Sequence, residues 1–169
     1  AKSSVPERMT GSGFASAASV TIAVTGTNDD PVVALSDVTG AVAELVTPTG
    51  NLTDSGTLSF SDVDVTDTHL VSATYDANAA WSGGSLTPAQ VTAITAGFTA
   101  DADSWDYTVA NAAVQFLAEG ETITFSYTVT VTDDSGEAND SHSQVVTVTI
   151  TGNNDAPVLV VEATGAVEE

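Results

Sequence analysis

Residues Thr122-Ile123-Thr124-Phe125-Ser126-Tyr127-Thr128-Val129-Thr130-Val131-Thr132 alternate apolar and hydroxyl side chains without a break. Successive side chains of a strand face opposite ways, so this pattern fits a half-buried strand and excludes a helix. Val146, Val148 and Ile150 mark a partner with the same period, and Asp133-Asp134-Ser135-Gly136 opens the loop between them. Further strands are expected at Val32–Ser36, Ala41–Val46, Gly56–Ser61, Leu70–Tyr75 and Trp105–Ala110. One helical signal interrupts them. Thr87 reads as an N-cap, Pro88 as the first helical residue, Gln90 as the capping-box partner and Gly97 as the stop, predicting a short helix near 88–96.

Seven or so short strands separated by turns predict an all-β fold, a Greek-key β-sandwich of immunoglobulin-like type. Trp105, Phe60, Phe125 and Tyr127 are expected to fill the core that a disulfide pins in antibody domains, since the chain has no Cys. A repeat sets the domain limits. Val20-Thr21-Ile22-Ala23-Val24-Thr25-Gly26-Thr27-Asn28-Asp29-Asp30-Pro31-Val32 returns as Val146-Thr147-Val148-Thr149-Ile150-Thr151-Gly152-Asn153-Asn154-Asp155-Ala156-Pro157-Val158, 126 residues later. Thr39-Gly40-Ala41-Val42-Ala43-Glu44 returns as Thr164-Gly165-Ala166-Val167-Glu168-Glu169. The expected organisation is a leader or disordered tail over 1–18, then the last strand of a preceding repeat and its linker over 19–30. A repeat domain follows over 31–151, and a linker with the start of a following repeat over 152–169.

The charge is one-sided. Lys2 and Arg8 are the only Lys and Arg against 23 Asp and Glu, a net charge of −21, and no basic residue follows Arg8. Nucleic acid is excluded as a partner because phosphate neutralisation needs Lys and Arg, and docking on anionic lipid is disfavoured for the same reason. No apolar run is long enough to span a bilayer, so no direct membrane insertion is expected. A compact chain of this charge repels itself unless cations come from outside, and a metal ion is the natural source.

In a sandwich entered at one pole and left at the other, the loops sort the acids. The N-terminal pole is expected to collect Asn28, Asp29 and Asp30 from the linker, Asp62, Asp64 and Asp67 from one loop, and Asp133 and Asp134 from another. The C-terminal pole is expected to collect Glu44, Glu119, Glu121, Asn154 and Asp155. Ca²⁺ takes six to eight oxygens, readily from carboxylates and carbonyls, so acids at both ends of a rod-like domain suit a calcium-bound junction. Asp101 and Asp103 repeat the Asp-x-Asp spacing more weakly. Neither 62–67 nor 101–106 is an EF-hand, lacking Gly at the sixth and Glu at the twelfth position. Asp37, Asp76 and Asp140 read as plain surface.

With Phe60-Ser61-Asp62-Val63-Asp64, Asp67-Thr68-His69, Trp105-Asp106-Tyr107, Leu117-Ala118-Glu119-Gly120-Glu121, Thr132-Asp133-Asp134-Ser135-Gly136 and the closing Gly-x-Asn-Asp/Asn-Asp-x-Pro, residues 26–157 resemble a VCBS-type, cadherin-like tandem repeat of large bacterial RTX adhesins. The resemblance implies an extracellular, cell-surface extender module exported by type I secretion. Its partners would be neighbouring repeats of the same chain, and other domains of the parent would meet a glycan or cell-surface ligand. It also implies linker ligands at Asn28, Asp29, Asn154 and Asp155, base glutamates at Glu44 and Glu119, and the pair Asp62 and Asp64. The Asp-x-Asp loop of a following repeat falls beyond Glu169, which leaves the C-terminal site with ligands from one side.

An enzyme is not expected. His69 and His142 lack a third His or a Cys for zinc, and no nucleophile elbow, zincin motif or phosphate loop accompanies them. His69 reads instead as ordering the loop behind Asp67. Glu119 and Glu121 lie beside a turn glycine with no aromatic cleft in view, a poor setting for glycoside hydrolysis. The competing reading is a calcium-dependent carbohydrate- or ligand-binding module, for which Trp81 in a Gly/Ser-rich loop would be the aromatic platform.

Overall fold

Nine strands, one short α-helix and a single 3-10 turn at Asn111–Ala113 form among the described residues, which in this computed structural model are 20–35 and 37–157. The expected leader and the Thr164–Glu169 start of a following repeat lie outside them. The strands are β1 (Val32–Leu35), β2 (Thr39–Ala43), β3 (Asn51–Ser61), β4 (His69–Tyr75), β5 (Ala80–Trp81), β6 (Phe98–Ala100), β7 (Ser104–Ala110), β8 (Thr122–Asp133) and β9 (Ser141–Thr151); α1 spans Pro88–Thr95. One sheet runs β1-β3-β7-β6, the other β2-β9-β8-β4, with β5 also on β8. All pairs are antiparallel except β2 with β9. The expected all-β class with one short helix is what forms.

The alternating run becomes β8, whose ladder to β9 extends from Thr122↔Thr151 to Thr132↔Ser141. Ile123, Phe125, Tyr127, Val129 and Val131 are buried, as are Val146, Val148 and Ile150. Trp105, Tyr107 and Val109 of β7 close the core from the other sheet. Phe98 stacks between Trp105 and Tyr127, with ring centroids 5.7 and 4.1 Å away. Phe60, expected in the core, is half-buried and packs on His69 at 4.9 Å. Burial lifts the Tyr127 phenol to about 12, and its hydroxyl donates to the Thr95 carbonyl.

The boundaries differ from expectation for identifiable reasons. β2 stops at Ala43 because the buried Asn111 side chain takes over the ladder. Its Oδ1 accepts from Leu45 N at 2.9 Å, and its Nδ2 donates to the carbonyls of Leu45 and Thr47. Leu45 and Val46 are therefore exposed. β3 begins at Asn51, five residues before Gly56, and Gly56 sits in mid-strand opposite Trp105, where a Cβ would come 2.3 Å from the indole nitrogen. The helix has the capping box complete: Gln90 N donates to Thr87 Oγ1 and Thr87 N to Gln90 Oε1. Gly97 is not a left-handed stop. A Cβ there would meet the Thr108 carbonyl at 1.7 Å, so it permits a close crossing of β7.

Candidate metal centre

The loop 62–68 connects β3 in one sheet with β4 in the other, at the end where β8 stops. Three carboxylates meet there. Asp62, Asp67 and Asp133 each present one oxygen, all within 4.8 Å of one another. Two oxygens on opposite sides of a calcium ion stand about 4.6–5.2 Å apart, so all three fit one coordination sphere.

Short-range turn chemistry builds the cluster. Asp64 N donates to Asp62 Oδ1 at 2.9 Å and Asp67 N to the Asp64 carbonyl at 3.0 Å, curling the Asp-x-Asp segment back on itself. Ser135 N donates to Asp133 Oδ1 at 2.8 Å, and Thr68 N to Asp134 Oδ1 at 3.0 Å, tying the two loops together. His69 Nε2 lies 2.8 Å from Asp62 Oδ2, so His69 orders Asp62, which is a direct contact where the sequence suggested a general ordering of the loop. The Asp62 side chain is only 3 % exposed.

These partners separate the acids electrostatically. The His69 hydrogen bond, then that from Asp64 N, holds the Asp62 carboxyl below its usual range. Asp133 is lowered by Ser135, and Asp134 by Thr68. Asp67 is raised, first by desolvation and then by repulsion from Asp64, Asp134, Asp133 and Asp62. Its hydrogen-bond donor is the Thr66 hydroxyl at a marginal 3.5 Å. Asp67 is the acid in this group left short of positive partners.

The linker joins the same pole. Asn28 Nδ2 donates to Asp133 Oδ2 at 3.1 Å and to the Asn139 carbonyl at 2.9 Å; Asn139 Nδ2 returns a bond to the Asn28 carbonyl at 2.7 Å. Asp29 N donates to Asp64 Oδ2 at 2.8 Å. An open cleft lined by Gly26, Thr27, Asn28, Asp64, Asp67, Ser135 and Glu137 lies between linker and loops. Asp30 and the Asp29 side chain are exposed on the linker. Asn139 and Ser135, which no ligand-spacing pattern singled out, complete this pole.

The C-terminal pole is less assembled. Glu44 is 1 % exposed; its Oε1 accepts from Gln115 Nε2 at 2.7 Å and its Oε2 from Asn153 N at 3.1 Å. Burial raises its carboxyl and Asp155 adds to the rise, while Asn153 opposes it. Glu121 Oε2 accepts from Trp81 Nε1 and from Ala118 N, both at 3.0 Å, so its carboxylate locks its own loop. Glu119, Asn154 and Asp155 are exposed. Thus Glu44 is tied to Gln115 and Asn153, Glu119, Asn154 and Asp155 are exposed, and Glu121 has a structural partner.

Several other acids differ from their sequence reading. Asp76 is an anchor, accepting from the Ser126 and Thr128 hydroxyls, and Asp37 caps Thr39 N at 3.0 Å. Asp101 accepts from Asp103 N and Ser104 N, each at 2.9 Å, a self-contained turn. His142 Nδ1 accepts from Val33 N at 3.0 Å, stapling β1 to β9. Trp81 packs edge-on against Phe116 at 5.1 Å and gives its N–H to Glu121. Asp133 and Ile123, the β8 partner of Trp81, are ten residues apart, about 33 Å along the strand, so Trp81 stands at the opposite end from the Asp62 cluster. Among the described residues no helix is long and apolar enough to cross a membrane. No family model matches this chain, and no curated protein matches it.

Proposed function

We propose that this chain is a calcium-stabilised structural extender domain of a secreted bacterial surface adhesin, a unit of a tandem array that holds a distal binding domain away from the cell. The observation that carries the reading is the meeting of Asp62, Asp67 and Asp133 in a chain with no Lys or Arg beyond Arg8. A hard oxygen-only donor set without Cys fits Ca²⁺, with Asp64, Asp134, Asn28 and Asp29 beside it and further oxygens from water. The strand orders β1-β3-β7-β6 and β9-β8-β4 follow those of an immunoglobulin-type sandwich, A-B-E-D and G-F-C, which supports the same reading.

The mechanism is electrostatic. Without cations the acids of each pole repel one another; Ca²⁺ would draw them together and stabilise the fold around them. Extracellular calcium modules bind at about 10⁻⁴–10⁻³ M, so such sites stand empty in a cytosol and fill outside the cell. A site filled at about 100 times its Kd adds about 2.7 kcal/mol to folding.

The test is thermal unfolding in excess chelator against a calcium titration, with magnesium and NaCl as controls. A saturable rise in Tm with calcium alone is expected. Equal stabilisation by NaCl would reduce the acids to a screened charge cloud and end the calcium reading. The carbohydrate-binding alternative lacks its support, because Trp81 is committed to Glu121 far from the Asp62 cluster.

A further inference from the structure

The motif Gly-x-Asn-Asp-x-Pro occurs at 26–31 and again at 152–157, and one unit holds the two copies through different residues. At the C-terminal pole the first half is gripped: Gly152 N donates to the Glu121 carbonyl at 2.8 Å and Gly120 N to the Gly152 carbonyl at 3.1 Å. Asn153 N donates to Glu44 Oε2 and Asn153 Nδ2 to the Glu44 carbonyl, both at 3.1 Å. At the N-terminal pole the second half is gripped, Asn28 by Asp133 and Asn139 and Asp29 by Asp64. The two holds are complementary. Overlaid on a single linker they occupy adjoining residues and do not compete for any atom.

The first motif copy also shows what precedes it. Val20, Ile22 and Val24 are 84, 80 and 91 % exposed, whereas the matching Val146, Val148 and Ile150 of β9 are fully buried. In β9 this pattern is paired on both edges, by β8 and β2, and its side chains are buried in the core, whereas in 20–25 it is bare. The surface that fits residues 20–25 is therefore a sheet like this one.

We infer that consecutive copies of this unit are joined without a spacer, the preceding copy holding Gly-x and the following copy holding Asn-Asp of each linker by direct hydrogen bonds that need no metal. One peptide bond, that between residues 153 and 154, separates the two holds. The partner at each pole is thus a second copy of this chain's own unit, with Glu44 and Glu121 on one side of the joint and Asp64, Asp133 and Asn139 on the other. The inference rests on the tandem-repeat reading above, but it assigns the stiffness of the joint to hydrogen bonds.

A two-unit chain, residues 1–157 followed directly by residues 32–169, tests it. The sequence has no Cys, so Thr124→Cys in the first unit and Leu70→Cys in the second carry spin labels at exposed sites. Circular dichroism confirms that each variant is folded. The expected result in chelator is one narrow distance distribution, little changed by calcium. Asn153→Ala in the first unit with Asn139→Ala in the second should broaden it. Each single substitution should speed exchange of the Asp155 amide about five-fold. A broad distribution in chelator overturns the inference. If calcium then narrows it, the calcium reading survives alone; if calcium does not, both fall. A narrow distribution that the double substitution leaves unchanged removes these residues from the joint.

Discussion

Asp67 shows how one residue's chemistry depends on strands far from it in sequence. Its Asp-x-x-Asp neighbours Asp64 and Asp62 are local, but the repulsion that raises its carboxyl also comes from Asp133 and Asp134 at the end of β8. Asp67→Asn should raise Tm in chelator and weaken calcium binding by about 10-fold or more, measured by calorimetric titration. Lower stability in chelator would mean that Asp67 has a favourable partner. The pH dependence follows from the signs. Asp62, Asp133 and Asp134 lie below the usual 3.8, so their contribution is present above that value and is lost as pH falls through their folded values. Asp67 lies above 3.8 and Glu44 above 4.5, so each costs stability when ionised and returns it as pH falls through its folded value. Metal-free Tm should therefore be highest in mildly acidic buffer and decline on either side. Saturating calcium should move the maximum toward neutrality, because metal and protons compete for Asp67.

At the scale of elements, the signals that lie within a few consecutive residues are the legible ones. Thr87, Pro88 and Gln90 locate α1 because a capping box needs no more than four consecutive residues. Thr87→Ala should cost about 1 kcal/mol, lowering Tm by about 3 °C in a scan of the calcium-loaded chain. β8 and β9 are legible from their period of two, whereas only the second half of β3, from Gly56, is. Other features were not, since they depend on distant partners. Asn111 ends β2 from the far side of the sandwich, and the Thr108 carbonyl explains Gly97. β5 and β6 are two and three residues long, too short for any period to show. Asp76 looked like surface because its partners, Ser126 and Thr128, are fifty residues on. The gathering of Asp62, Asp67 and Asp133 was visible in outline from loop order; Asn139, which ties the linker to them, carries no ligand signature in sequence.

The whole molecule bears a net charge of −21, and a group of its acids meets at the pole where Asp62, Asp67 and Asp133 lie. Self-repulsion of this size is screened over about 10 Å at 0.1 M salt, so NaCl should raise Tm of the chelated chain gradually and without saturation. Calcium should act at far lower concentration and saturate. A flat NaCl response would show that the acids are already neutralised within the fold. The two poles are joined by β8 and β9, but the chain enters through β1 and β2. β2 runs parallel to β9, from Thr39↔Thr147 to Ala43↔Thr151. A pull on the linkers draws β2 back along its own axis from its first residue and β9 forward from its last. The hydrogen bonds between them are then loaded sideways, all together, so the ends cannot peel apart one bond at a time. Failure under tension is governed by the unfolding barrier, and this parallel pairing places the barrier directly in the path of the force.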